Sequence, residues 1–110
     1  MGVEGYSNRQ VRLLDAMTLY CGIRNIDEIM DIAGLTNKEK TLMHLRDLYE
    51  QGLITRFTAE TGNCDEVEIY YSINDAGKIA FDELWDKYGE DIMDECMTQA
   101  EVEDSALAKS

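Results

Sequence analysis

With 110 residues, 45% of them hydrophobic and none of them proline, the chain has room for one helix-rich globular core and little for a second. No apolar run approaches the roughly 18 residues of a membrane span, and the amino terminus has neither region of a signal peptide, so a soluble cytoplasmic protein is expected. The formal charge of −13 is uneven: residues 1–57 carry seven Lys/Arg against eight Asp/Glu, and residues 58–110 carry three against fifteen.

Residues 1–6 read as a flexible tail. Three helix starts then share one signature, Ser7 with Gln10, Asn25 with Glu28 and Thr36 with Glu39. In each pair a short polar side chain accepts from the orphan backbone N–H groups and the later side chain reaches back. The first helix spans residues 8–20, with Val11, Leu14, Met17 and Cys21 on one face and Gly22 as its carboxyl cap. The second spans 26–33 and uses Ile26, Ile29, Met30 and Ala33 before Gly34 stops it. The short link Gly34-Leu35-Thr36 turns the chain sharply into a third helix over 37–51, with Leu42, Leu45, Leu48 and Tyr49 on one side and Gly52 closing it.

The period then changes from helical to alternating. Residues 53–60 and 66–73 read as two strands around the turn Thr61-Gly62-Asn63-Cys64-Asp65, with Val67, Ile69, Tyr71 and Ile73 on one face. Asn74 caps a fourth helix over 75–88, carrying Ile79, Ala80, Phe81, Leu84 and Trp85, and Gly89 ends it. Residues 90–110 form an acidic carboxyl-terminal helix and tail, with Ile92, Met93, Cys96, Met97 and Ala100 along one stripe. The expected fold is α+β and mostly helical: a three-helix helix-turn-helix, a β-hairpin wing and a carboxyl-terminal helix, with the domain at residues 7–89.

Two stretches carry a family resemblance. Leu45-Arg46-Asp47-Leu48-Tyr49-Glu50-Gln51-Gly52-Leu53-Ile54 resembles the end of the recognition helix and the start of the wing in bacterial and archaeal regulators. Tyr70-Tyr71-Ser72-Ile73-Asn74-Asp75-Ala76-Gly77-Lys78-Ile79-Ala80 resembles the exit from the wing in PadR-like and MarR-like repressors of the winged helix-turn-helix superfamily. There Gly52 permits the positive φ of a helix carboxyl cap and Gly77 lets a helix approach the sheet closely.

The resemblance implies binding to double-stranded DNA, with the third helix in the major groove. Asn37, Lys38 and Thr41 lie near its amino-terminal end, and Lys40, Met43, His44, Asp47 and Gln51 fall opposite the apolar side. Arg46 adds a cation to this helix, and Arg9, Arg12, Arg24 and Arg56 are candidates for phosphate contacts. The wing departs from the pattern: besides Arg56 it holds Glu60, Asp65, Glu66 and Glu68, and each carboxylate near a phosphate costs free energy. This wing is not expected to lie along a DNA backbone.

No catalytic constellation or cofactor motif is visible. The single histidine, His44, has no nucleophile and orienting group beside it in sequence, and no Gly-rich phosphate loop is present. Cys21, Cys64 and Cys96 are widely spaced, which argues against a zinc site or a disulfide framework. Cys21 and Cys96 read as small packed residues and Cys64 as an incidental exposed thiol. At Gly2, Tyr6 stands where a myristoylation motif needs Ser or Thr. An enzyme is not expected.

Two readings follow. The leading one is a dimeric DNA-binding transcriptional regulator whose carboxyl-terminal apolar stripe forms the homodimer interface, although the same stripe also suits intramolecular core. The alternative is an acidic winged-helix interaction module, an inhibitor of phage type or a nucleic-acid mimic, in which Glu60, Asp65, Glu66 and Glu68 meet a basic protein partner and DNA is not bound.

Overall fold

The computed structural model describes residues 5–20, 22–60 and 67–109, the side chains of 60, 67, 101 and 103–109 excepted. Its elements are α1 (Asn8–Leu19), β1 (Arg24–Asn25), α2 (Ile26–Ala33), α3 (Lys38–Glu50), β2 (Ile54–Glu60), β3 (Val67–Ile73) and α4 (Asp75–Lys109). This is the expected α+β, mostly helical order, with one strand added.

Local chemistry explains the starts of the helices. At α1 the Gln10 N–H donates to Ser7 Oγ over 3.1 Å while the Ser7 N–H donates to Gln10 Oε1 over 2.8 Å. At α2 the Glu28 N–H donates to Asn25 Oδ1 over 2.9 Å, and Glu28 reaches back to the Asn25 N–H. The third start differs from expectation. Asn37, not Thr36, caps α3 through a 3.1 Å bond from the Lys40 N–H, so Glu39 falls in the first turn, where it favours the helix dipole. Tyr20, not Gly22, takes the carboxyl-cap position of α1.

The sheet has the order β1-β3-β2, all antiparallel. Ile54, Arg56 and Thr58 pair with Ile73, Tyr71 and Ile69, so these six share the face turned toward the helices. On the other edge of β3, Arg24 and Asn25 pair with Tyr71 and Tyr70. A two-residue strand has no period to read, which is why the sequence gives no sign of it.

Helix α1 runs through the middle of the molecule and meets α2, α3, α4 and the sheet. It buries Val11, Leu13, Leu14, Ala16 and Met17, a broader face than the expected stripe. Helix α4 is broken at Gly89, whose φ of 82° and ψ of 168° lie outside the helical region. A side chain there would be strained, so glycine permits the bend. The first arm, 75–88, contributes Phe81 and Leu84 to the core, with Trp85 edge-on to Phe81 at 6.0 Å between ring centroids.

The second arm begins at residue 90 and returns to the core, burying Met93, Cys96, Met97 and Ala100. Most of the stripe is therefore intramolecular core, and Ile92 alone of its members is exposed. Burying each of these methionines contributes roughly 1.5–3 kcal/mol. No described helix is long and apolar enough to cross a membrane.

Candidate nucleic-acid interface

The helix-turn-helix is built by a compact turn. The Gly34 N–H bonds back to α2 and the Leu35 N–H donates to the Met30 carbonyl over 3.0 Å. Leu35 is buried beneath the link, which fixes α3 across α2. Helix α3 is then anchored by Thr41, Leu45 and Leu48.

That anchoring turns α3 relative to the expected wheel. Thr41, expected near base edges, is 0% exposed, and its hydroxyl donates to the Asn37 carbonyl over 2.8 Å. It faces the core and is withdrawn from the interface. Leu42 and Tyr49, expected inward, are 38% and 42% exposed. The outward surface is therefore Lys38, Glu39, Lys40, Leu42, Met43, Arg46, Tyr49 and Glu50. Asn37 is half-buried and occupied as the cap.

The charges on this surface are balanced. Lys38 Nζ lies 3.5 Å from Asp27 Oδ1, and Arg46 Nε lies 3.7 Å from Glu50 Oε1. Both pairs are largely exposed and are weakly held. Lys40 is exposed and makes no ion pair among the described residues. Arg56 stands over the Tyr49 ring, its guanidinium carbon 5.2 Å from the centroid, and ties β2 to α3.

Of the other phosphate candidates, two are structural. Arg9 is 4% exposed, and the Arg12 Nε donates to the Ala33 carbonyl over 2.6 Å. Arginines with long stems pack well when the head finds a partner, and the sequence alone does not reveal that partner. Arg24 donates to the Tyr20 carbonyl over 3.0 Å and pairs with Glu28.

His44 is half-buried and turned toward α1: its Nδ1 lies 3.3 Å from Ser7 Oγ. Ser7, Gln10, His44, Asp47, Glu50 and Gln51 line a shallow polar cavity of about 350 Å³. The two residues are 37 apart in the chain, so no local pattern signals the juxtaposition. The Ser7 hydroxyl is engaged in capping α1, so the contact joins α1 to α3.

On the wing, exposed Glu68 accepts from the Tyr70 hydroxyl, and that bond raises the Tyr70 pKa above its ordinary value. The Glu60 side chain, Asp65 and Glu66 lie outside the described residues, as do Cys21 and Cys64. No group of His, Cys, Asp and Glu among the described residues is arranged to hold a metal ion.

A helix-turn-helix followed by an antiparallel hairpin defines the winged-helix fold, and this chain has it. Among solved structures, diamide-treated YodB from B. subtilis is similar, with a TM-score of 0.53 at 15% identity, over 72% of this chain and 79% of that one. Stf76 from the Sulfolobus islandicus plasmid-virus pSSVx matches with a TM-score of 0.46 at 19% identity, over 66% of this chain and 92% of that one. No family model and no curated protein matches the sequence.

Proposed function

We propose that the protein is a DNA-binding transcriptional regulator acting as a homodimer. The observation that supports this is the placement of its cations. Four of the ten Lys and Arg residues, Lys38, Lys40, Arg46 and Arg56, stand on exposed turns of α3 or on the strand beside it. That is the surface a winged helix lays in the major groove. Glu39, Asp47 and Glu50 offset the three cations of α3, so non-specific attraction to phosphate is small and base contacts carry more of the affinity. Two half-sites on one duplex call for two copies of α3, and Ile92 and Val102 are exposed on the second arm of α4 for the pairing.

Selection from a pool of random duplexes at low and physiological salt tests the reading. Enrichment of a sequence whose binding weakens with salt supports it, and no enrichment even at low salt sinks it. Equilibrium sedimentation with the selected duplex tests the dimer.

A second reading is favoured by the acid distribution. Glu68 and the α4 residues Asp82, Glu83, Asp86, Glu90 and Asp91 are exposed, and two of the α3 cations are paired with carboxylates. In this reading the protein is an acidic interaction module that occupies a basic protein surface. Reversing Glu66 and Glu68 to lysine should then abolish partner capture, and the unaltered protein should show no sequence-selective binding to duplex DNA.

A further inference from the structure

Two exposed apolar side chains from different elements converge on one concavity. Leu42 of α3 and Ile69 of β3 open onto a groove of about 300 Å³ whose floor is completed by Ile26 and Tyr71. Single exposed leucines or isoleucines are ordinary on protein surfaces, but two lining the same hollow form a receptive patch.

The rim of this groove is acidic. Asp27 at the start of α2 and Glu68 on β3 flank it, and among the described residues no lysine or arginine lines it. The field extends past the rim, since Glu28 also acts on the neighbouring Tyr70 phenol. An ammonium already visits: Lys38 Nζ lies 3.5 Å from Asp27 Oδ1 in a pair exposed on both sides. So weak a pair is readily exchanged for an incoming cation.

We propose that this groove docks a protein segment in which lysine or arginine flanks one apolar anchor residue. The apolar anchor fills the hollow between Leu42 and Ile69, and the flanking cations meet Asp27 and Glu68. The hollow is at the small end for small-molecule sites and opens to solvent, so it suits one inserted side chain better than an enclosed ligand. The acidic rim repels phosphate, which excludes the nucleic-acid backbone as its occupant. The proposal rests on the second reading above, that a basic protein is a partner, and adds where that partner sits.

The test is an NMR titration of the isotopically labelled full chain with a short synthetic peptide of lysines around one leucine. A control peptide carries glutamates in place of the lysines. The expected result is saturable shifts at the amides of Ile26, Leu42, Ile69 and Tyr71, absent with the control. Ile69→Lys at this exposed position should weaken binding roughly tenfold, and Asp27→Asn by a smaller factor. Shifts that map to the wing tip or to α4, unchanged by Ile69→Lys and Asp27→Asn, would overturn the groove while leaving the acidic-module reading standing. No saturable shift with the basic peptide would overturn both.

Discussion

Gly77 in the first turn of α4 lies directly against the carbonyl oxygen of Leu53, with no room for a β-carbon between them. A β-carbon there would also meet Ile73 Cγ1 at 2.7 Å. Around this contact Asn74 Nδ2 donates to the Gly52 carbonyl over 2.9 Å, and Asn74 Oδ1 accepts from the Gly77 N–H over 2.9 Å. The end of α3, the start of the wing and the start of α4 are therefore clamped together, which sets the direction in which α4 leaves. Gly77→Ala should cost about 1–3 kcal/mol through overpacking against backbone. At an unobstructed helical position the same change gains about 0.5–1 kcal/mol. Urea unfolding decides the sign, and an unchanged or higher midpoint would show that the clamp yields.

The pairing of Arg46 with Glu50 leads to a prediction about duplex affinity. Glu50→Gln removes the carboxylate 3.7 Å from Arg46 Nε and a negative charge from the outward face of α3. Binding to the selected duplex should tighten, and its salt slope should steepen by about one. Arg46→Glu should do the reverse. Fluorescence anisotropy over a salt series measures both, and two unaltered slopes would remove this face of α3 from the interface.

Burial of Thr41 separates stability from recognition. Thr41→Val keeps the shape but deletes the hydroxyl that bonds to the Asn37 carbonyl, at a cost of about 0.5–1.5 kcal/mol. Duplex affinity should be unchanged, because the side chain does not reach the surface. A several-fold loss of affinity without a loss of stability would place Thr41 back among the contacts.

The sequence disclosed what is written locally and hid what depends on distant partners. The caps at Ser7 and Asn25, the glycine break at Gly89 and the close approach at Gly77 follow from side-chain chemistry within a few residues, and each is present. The third cap slipped by one because Thr36 and Asn37 are adjacent and both competent. The facing of α3 differs from the expected one because a hydrophobic wheel scores Leu42 and Tyr49 above Thr41, yet it is the small threonine that is buried. The burial of Arg9, the Arg12 bond to Ala33 and the Ser7–His44 contact all depend on tertiary neighbours, which no local pattern encodes.

Asp15 carries the pH prediction. It is half-buried on α1, and burial raises its pKa above the ordinary 3.8, with Arg12 opposing and Asp94 of α4 adding to the rise. In the folded state the neutral acid is therefore favoured over the carboxylate. Below the unfolded value both states hold the proton and there is no penalty. As pH climbs from 3.8 through the higher folded value the unfolded chain ionises first, so stability falls and stays lower above it. Asp15→Asn removes the penalty: its melting temperature should exceed that of the parent near neutral pH, and the gain should shrink toward zero as pH approaches 3.8. Thermal melts across that range provide the check. A gain of equal size at both ends would assign the effect to something other than ionisation of Asp15, and a loss near neutral pH would show that the attraction to Arg12 outweighs burial and the repulsion from Asp94.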